Sequence, residues 1–306
     1  FTMVIPIGML AGGFASWILA RRSLSPIRKI ARETQALTAA RLDRRIPPPQ
    51  AMDEVGELVV TINQMLDRLE DAFRAQERFV ADAAHELKTP ITIVKGIAQV
   101  IEKKERTAAE YDQCLSVVVD EMRRLGQMVD SLLMLARADA GMPLMIQAPV
   151  SMNEVATDVV QRWQPVAAQR GVRLVLLLHL PRGDEPEPLV TGDAELLDAM
   201  VSNLVQNGVR YSPDGEVVEV EVRLVEPLVR IVVRDRGPGI PEKDLDRVFE
   251  RFYRVPRAEN DGTGTGLGLA IAKGVGHLHK GTIEVTNRTA GGCEFVVTLP
   301  LAFGHP

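Results

Sequence analysis

Leu115, Val118, Met122, Leu125, Val129, Leu132 and Ala136 alternate at spacings of three and four residues without a break, the period of a single apolar seam on a helix. A second stripe of mostly the same spacing enters from upstream through Leu58, Ile62, Met65, Leu69, Ala72, Val80, Ala83 and Leu87. The charged run Lys103-Lys104-Glu105-Arg106 lies between them and predicts a hairpin turn, while Gly141 and Pro143 end the second helix. Residues 77–142 therefore read as an αα-hairpin. Such a hairpin cannot bury both apolar faces alone. Pairing two copies into an antiparallel four-helix bundle is the economical solution, so a homodimer is expected.

His85 lies two residues from both Ala83 and Leu87. Two helical steps rotate a side chain by roughly 200°, which points the imidazole away from the seam. Glu86 is its neighbour, and Thr89 at i+4 shares its face. Pro90 follows, removing a backbone donor and loosening the helix just past the histidine.

Phe1 to Ala20 carries no charge and runs into Arg21 and Arg22, with Arg28 and Lys29 shortly after. About 20 apolar residues suffice to cross a bilayer as a helix, and the basic flank places the following chain in the cytoplasm. A transmembrane helix over 1–22 in a cell membrane is expected; a secretory signal peptide would carry its basic residues before the apolar core. Gly8, Gly12 and Ser16 form a row suited to close helix pairing, or simply tolerated in a membrane helix. A chain that opens on Phe1 reads as the later part of a longer protein. From Ser23 to Gln76, two helical stretches flank the connector Arg44–Met52, where Pro47, Pro48 and Pro49 favour an extended path. The second stretch, opening at Asp53-Glu54-Val55-Gly56-Glu57-Leu58, continues in phase into the His85 helix.

Beyond Pro149 the pattern changes. Ser151 and Glu154 make a capping box for a helix to about Gln169, Val172–Leu180 is rich in β-formers, and Asp193 is an N-cap for another helix. Strands are expected at Val217–Val225, Val229–Val233, Thr282–Val285 and Glu294–Leu299, with a helix near Leu267–His279. This predicts an α+β domain with helices on one face of a largely antiparallel sheet. A net charge of -5, without a basic stripe interleaved with aromatics, gives no reason to expect a nucleic-acid partner. The two cysteines, Cys114 and Cys293, lack metal-type spacing and read as reduced, structural residues.

Four clusters in this half carry chemistry. Asn203 and Asn207 stand i,i+4 on one helix face, so their amide oxygens can converge on a hard cation such as Mg²⁺, and Arg210 one turn on can hold an anion. Gly208 between them lowers helix propensity by up to about 1 kcal/mol. Asp235-Arg236-Gly237-Pro238-Gly239-Ile240-Pro241 follows a strand, with a carboxylate acceptor and glycines that admit close backbone approach. Phe249-Glu250-Arg251-Phe252-Tyr253-Arg254 is by itself only an amphipathic scrap. Gly262-Thr263-Gly264-Thr265-Gly266-Leu267-Gly268-Leu269 opens into a helix whose first amides attract phosphate, and its glycines suit a lid. A dinucleotide fold would require a strand before this run, and a Walker A lysine is missing.

His85-Glu86-Leu87-Lys88-Thr89-Pro90 followed by these clusters in this order resembles the sensor histidine kinases of two-component signalling, over essentially the entire chain. Here Gly208 departs from the alanine usual in the family. The resemblance implies a multidomain fold: a transmembrane helix (1–22), a parallel HAMP coiled coil (23–76), a dimeric antiparallel four-helix bundle (77–142), and an α+β two-layer sandwich of the GHKL or Bergerat type (150–302). An amphipathic spacer is the alternative to HAMP. The resemblance makes His85 the phosphoacceptor, with Glu86 taking its other ring proton and Thr89 positioning water for dephosphorylation of a partner. It implies ATP and Mg²⁺, held by Asn203, Asn207, Arg210, Tyr211, Asp235, Gly237, Gly239, Ile240, Gly264, Thr265, Gly266, Leu267 and Gly268. Asn203 and Asn207 would hold the cation, and Asp235 would face the adenine amino group. The implied partner is an aspartate-bearing response regulator. An ATP hydrolase of the same wider fold group and a catalytically silent membrane scaffold are the rival readings. Autophosphorylation in cis or in trans depends on the handedness of the turn near Glu102–Ala108.

Overall fold

The computed structural model describes residues 12–14, 16–17, 43–47, 54–103, 107–139, 147–181, 183, 185–256 and 264–302. The expected membrane span apart from 12–14 and 16–17, the helix expected after it, the hairpin turn at 104–106, Gly141, Pro143 and Gly262-Thr263 lie outside the described residues. Among the described residues, no helix is long and apolar enough to cross a membrane. The chain divides into compact units at 1–82 and 83–306.

In the first unit, residues 44–47 of the connector dock on helix α1 (Glu54–Lys103). Ile46 is 4% exposed against Val59, with Val55 and Ile62 around it. The Asn63 side chain accepts from the Ile46 N–H at 2.9 Å and donates to its carbonyl at 2.9 Å, so the buried main chain keeps both partners. Arg45 pairs with Asp67 and Glu70 beside it. Leu58, Met65 and Leu69 of the expected seam stay exposed in the single chain.

In the second unit, α1 carries His85 and runs unbroken past Pro90, and α2 (Ala108–Asp139) follows it. Thr107 and Glu110 form a capping box at the start of α2: the Thr107 N–H donates to Glu110 at 2.8 Å, and the Glu110 N–H to Thr107 Oγ1 at 3.4 Å. Two apolar rows share α2. Leu115, Met122 and Val129, from the expected stripe, are 56%, 44% and 45% exposed in the single chain. Met128 and Leu135, roughly 130° round the helix from that row, are buried, and α2 packs on α5 of the C-terminal module.

That module has the two layers expected. Its sheet runs β2-β4-β5-β7-β6, from β2 (Arg173–Leu177), β4 (Val217–Val225), β5 (Leu228–Arg234), β6 (Thr282–Asn287) and β7 (Cys293–Pro300). The β2–β4 pair is parallel and the others antiparallel. Register places Val220, Val233, Phe295 and Val285 in one inward row and Val222, Ile231, Val297 and Ile283 in the next. Helices α3 (Met152–Gln169), α4 (Ala194–Tyr211) and α5 (Gly268–Leu278) lay their apolar faces over these rows. A small antiparallel pair, β1 (Ala148–Ser151) with β3 (Leu189–Gly192), was not anticipated from sequence. Ser151 caps α3 by accepting from the Glu154 N–H, and Asp193 caps α4 by accepting from the Glu195 and Leu196 N–H groups.

Candidate functional site

His85 is exposed on α1, while Ala83 and Leu87, two residues to either side, are half-buried, as is Glu86. Thr89 Oγ1 donates to the His85 carbonyl at 3.5 Å. Pro90 is buried and lacks an N–H, so the carbonyl of Glu86 loses its i+4 donor. The expected loosening is thus a missing rung beside the histidine, without interruption of the helix.

In the C-terminal module, a cavity of about 480 Å³ opens between α4, the loop after β5 and the start of α5. Asn203, Asn207, Arg210 and Tyr211 line it from α4; Asp235, Gly239 and Ile240 from the loop; Gly264, Thr265, Gly266 and Gly268 from the glycine run. Cys293, Phe295, Val248 and Ile271 lie among its apolar lining, and Met128 and Ser131 of α2 close one side. Two residues expected at the site stand behind it. Gly237 donates its N–H to Asp235 Oδ1 at 2.8 Å and does not line the cavity. Leu267 is fully buried, anchoring α5 to the core, and its N–H points to Thr265 Oγ1 at 3.4 Å.

Asp235 is buried, and its Oδ1 accepts from both Gly237 and Cys293 N–H groups, the latter at 3.1 Å. These bonds hold the carboxyl in one orientation at the cavity wall. The run approaches α4 closely: a Cβ on Gly268 would sit 2.6 Å from Asn203 Oδ1, and one on Gly264 would sit 2.1 Å from Arg210 Nη1, so a larger residue at either position would displace that polar side chain. The glycine run therefore lies directly on the two polar side chains of α4. Helix α5 begins there without a side-chain cap, and Gly268 and Leu269 of its first turn line the cavity.

Tyr253 also lines the cavity, with its hydroxyl donating to Asp244 Oδ1 at 2.7 Å and the Arg247 guanidinium 4.3 Å from its ring centroid. The hydrogen bond to a carboxylate pushes its phenol pKa up. Asp244 is buried, and its Oδ2 has no protein partner among the described residues. Neither this carboxylate nor Asn287, whose side chain holds Ile240, has a sequence signal of its own, because each acts across a fold contact.

Divalent metal fits the Asn203–Asn207 pair. Asn203 donates its amide nitrogen to the Ala199 carbonyl at 2.8 Å, which leaves Oδ1 on the side of the glycine run. Asn207 makes no side-chain hydrogen bond with any described residue. The described residues contain no group of three or more His, Cys, Asp or Glu side chains placed for a metal. A cation here would use amide and phosphate oxygens, the hard, partly hydrated set that suits Mg²⁺.

An open-faced α+β sandwich with this cavity, joined to a helical hairpin, defines the ATP-binding and phosphoacceptor class of modules. Family models match in series: "HAMP domain" over 18–71, "His Kinase A (phospho-acceptor) domain" over 75–141, and "Histidine kinase-, DNA gyrase B-, and HSP90-like ATPase" over 192–302. Sensor protein CutS of Streptomyces coelicolor is 36% identical over 299 residues, covering 96% of this chain and 70% of that protein. Sensor histidine kinase CusS of Escherichia coli is 35% identical over 277 residues, 90% of this chain and 56% of its own length, so the chain spans about half of that relative. The chain belongs to the sensor histidine kinase family. Among solved structures, histidine kinase AdeS of Acinetobacter baumannii aligns over 72% of this chain and 98% of its own with a TM-score of 0.58 at 22% identity, a likeness of fold alone. Full-length ShkA in complex with AMPPNP aligns over 75% of this chain and 47% of its own, with a TM-score of 0.55 at 26% identity.

Proposed function

We propose that this chain is the kinase portion of a membrane-bound sensor that transfers the γ-phosphoryl group of ATP to His85 and then to an aspartate of a response regulator. The observation that carries the reading is the pairing, in one chain, of an exposed imidazole on a hairpin helix with a cavity lined by Asn203, Asn207, Asp235 and a glycine-bounded helix start. The AMPPNP bound to ShkA supports a nucleotide in the corresponding module. We assign 1–22 to the membrane helix, 23–76 to HAMP, 77–142 to dimerisation and phosphotransfer, and 150–302 to ATP binding.

In this mechanism Asp235 accepts from the adenine amino group. Gly239 and Ile240 admit the base, Tyr211 borders it, and Arg210 with the amides of Gly264, Thr265, Gly266 and Gly268 holds phosphate oxygens. Gly237 and Leu267 act through the main-chain path they fix. Asn203 and Asn207 hold Mg²⁺, which neutralises phosphate charge when bound. A neutral His85 ring nitrogen attacks the γ-phosphorus in line; a nitrogen–phosphorus bond forms, the bond to the β-phosphate oxygen breaks, and ADP leaves. Glu86 accepts the proton of the other ring nitrogen as positive charge develops. Thr89, on the same face, positions water for dephosphorylation of the regulator.

Incubating the full chain with γ-labelled ATP tests this. Acid-labile, alkali-stable label is expected on the protein and is lost in His85→Ala; label that persists in that variant overturns the assignment. Phosphate release without protein label favours an ATP hydrolase, and nucleotide binding with neither product favours a scaffold. Thr89→Ala is expected to keep the label while lowering regulator dephosphorylation; equal loss of both rejects the separate role.

A further inference from the structure

We infer that Asn287 is a positioning residue for nucleotide binding, holding the Gly239–Ile240 wall of the cavity in place through the main chain of Ile240. The inference rests on the ATP reading above. Asn287 ends β6, and its side-chain Oδ1 accepts from the Ile240 N–H at 2.8 Å while its Nδ2 donates to the Ile240 carbonyl at 2.6 Å. Both polar groups of one loop residue are therefore fixed by one amide, with the two-bond bracket that Asn63 makes on Ile46 in the first unit.

The bracket is itself held. Asn287 pairs with Cys293 in the β6–β7 register, and the Cys293 thiol donates to the same Oδ1 at 3.6 Å. It also fits closely, since a Cβ on Gly239 would lie 3.0 Å from Oδ1. The other end of the loop is tied to the same strand pair: the Asp235 N–H donates to the Cys293 carbonyl at 3.0 Å, and Arg288 Nη1 donates to the Asp235 carbonyl at 3.0 Å. Thus the β6–β7 end grips the loop at Asp235 and at Ile240, and the Pro238–Ile240 stretch between the grips lines the cavity. Asn287 does not line the cavity. Its effect on a purine passes through the position of Gly239 and Ile240.

The test measures ATP and ADP binding to the full chain, its melting temperature, and the rate of His85 labelling at saturating ATP. Asn287→Ala is expected to weaken ATP and ADP by the same factor, roughly tenfold for two hydrogen bonds. The saturated labelling rate should stay within about twofold, because the wall touches the base and not the transferred phosphate. Asn287→Asp retains an acceptor for the Ile240 N–H but sets a carboxylate oxygen against its carbonyl, so it too should weaken both nucleotides. Unchanged affinity in Asn287→Ala, or a saturated rate that falls with affinity, overturns the inference. Should Asn287→Ala fail to fold, wild-type affinity in folded Asn287→Asp overturns it equally, and weakened affinity supports it. Wild-type chain that does not bind ATP defeats the underlying reading instead.

Discussion

Gly208 looks, from sequence, like a weak point in the helix that carries Asn203 and Asn207. The fold gives it a reason: a Cβ there would meet Val218 Cγ1 of β4 at 2.9 Å, and Asp235 Cβ lies 3.8 Å away. Gly208→Ala gains up to about 1 kcal/mol of helix propensity, but displacing a β-branched core neighbour costs about 1–3 kcal/mol. Net destabilisation of about 1 kcal/mol is expected in urea unfolding. Adding Val218→Ala should make the pair less destabilised than the sum of the single changes, whereas simple additivity would show that the contact is slack. At this scale the polar cavity residues were legible because each has a chemical type and a spacing, as with the i,i+4 amides. Asp244 and Asn287 were not legible, because their partners, Tyr253 and Ile240, are found only when loop and strand meet.

His279 shows how elements are joined. Its ring is buried, Nδ1 donates to the Val275 carbonyl at 2.8 Å, and Nε2 accepts from the Asp193 N–H at 3.1 Å. One neutral imidazole therefore connects the end of α5 to the N-cap of α4. Burial pushes its pKa below the ordinary value of 6.5, against the raising effects of the Val275 bond and Asp193. The fold favours the neutral ring, so its stabilisation is fully present above the unfolded pKa. It is lost as pH falls from there through the depressed folded value and changes no further below it. Unfolding midpoints of wild type should fall over that window, and His279→Gln should lack this increment of the pH dependence; identical pH profiles would remove the imidazole from the account. The long helices and the strands β4, β5, β6 and β7 were legible because period and composition extend over many residues. β1 and β3 were not, being only four residues each, with partners that are distant in sequence.

Across the whole molecule, the two rows of α2 divide its work. Met128 and Leu135 pack inside the second unit, while Leu115, Met122 and Val129 form a bare apolar row in the single chain. The sequence stripe located the second row and missed the first, since period alone does not say which neighbour a face meets. A bundle of two copies would cover the bare row. Sedimentation of the full chain in detergent is therefore expected to give a dimer, and Glu at Leu115, Met122 and Val129 together a monomer that still binds ATP. A dimer that survives all three charges would place the subunit contact elsewhere.

Because Met128 and Ser131 belong to α2 and yet close one side of the cavity, the enclosure is built from two separate parts of the chain. Any tug that draws α2 aside also thins the compartment around the ligand. By thermodynamic reciprocity, a ligand that binds better with α2 in one position than in another would bias the helix toward that position by the same free energy.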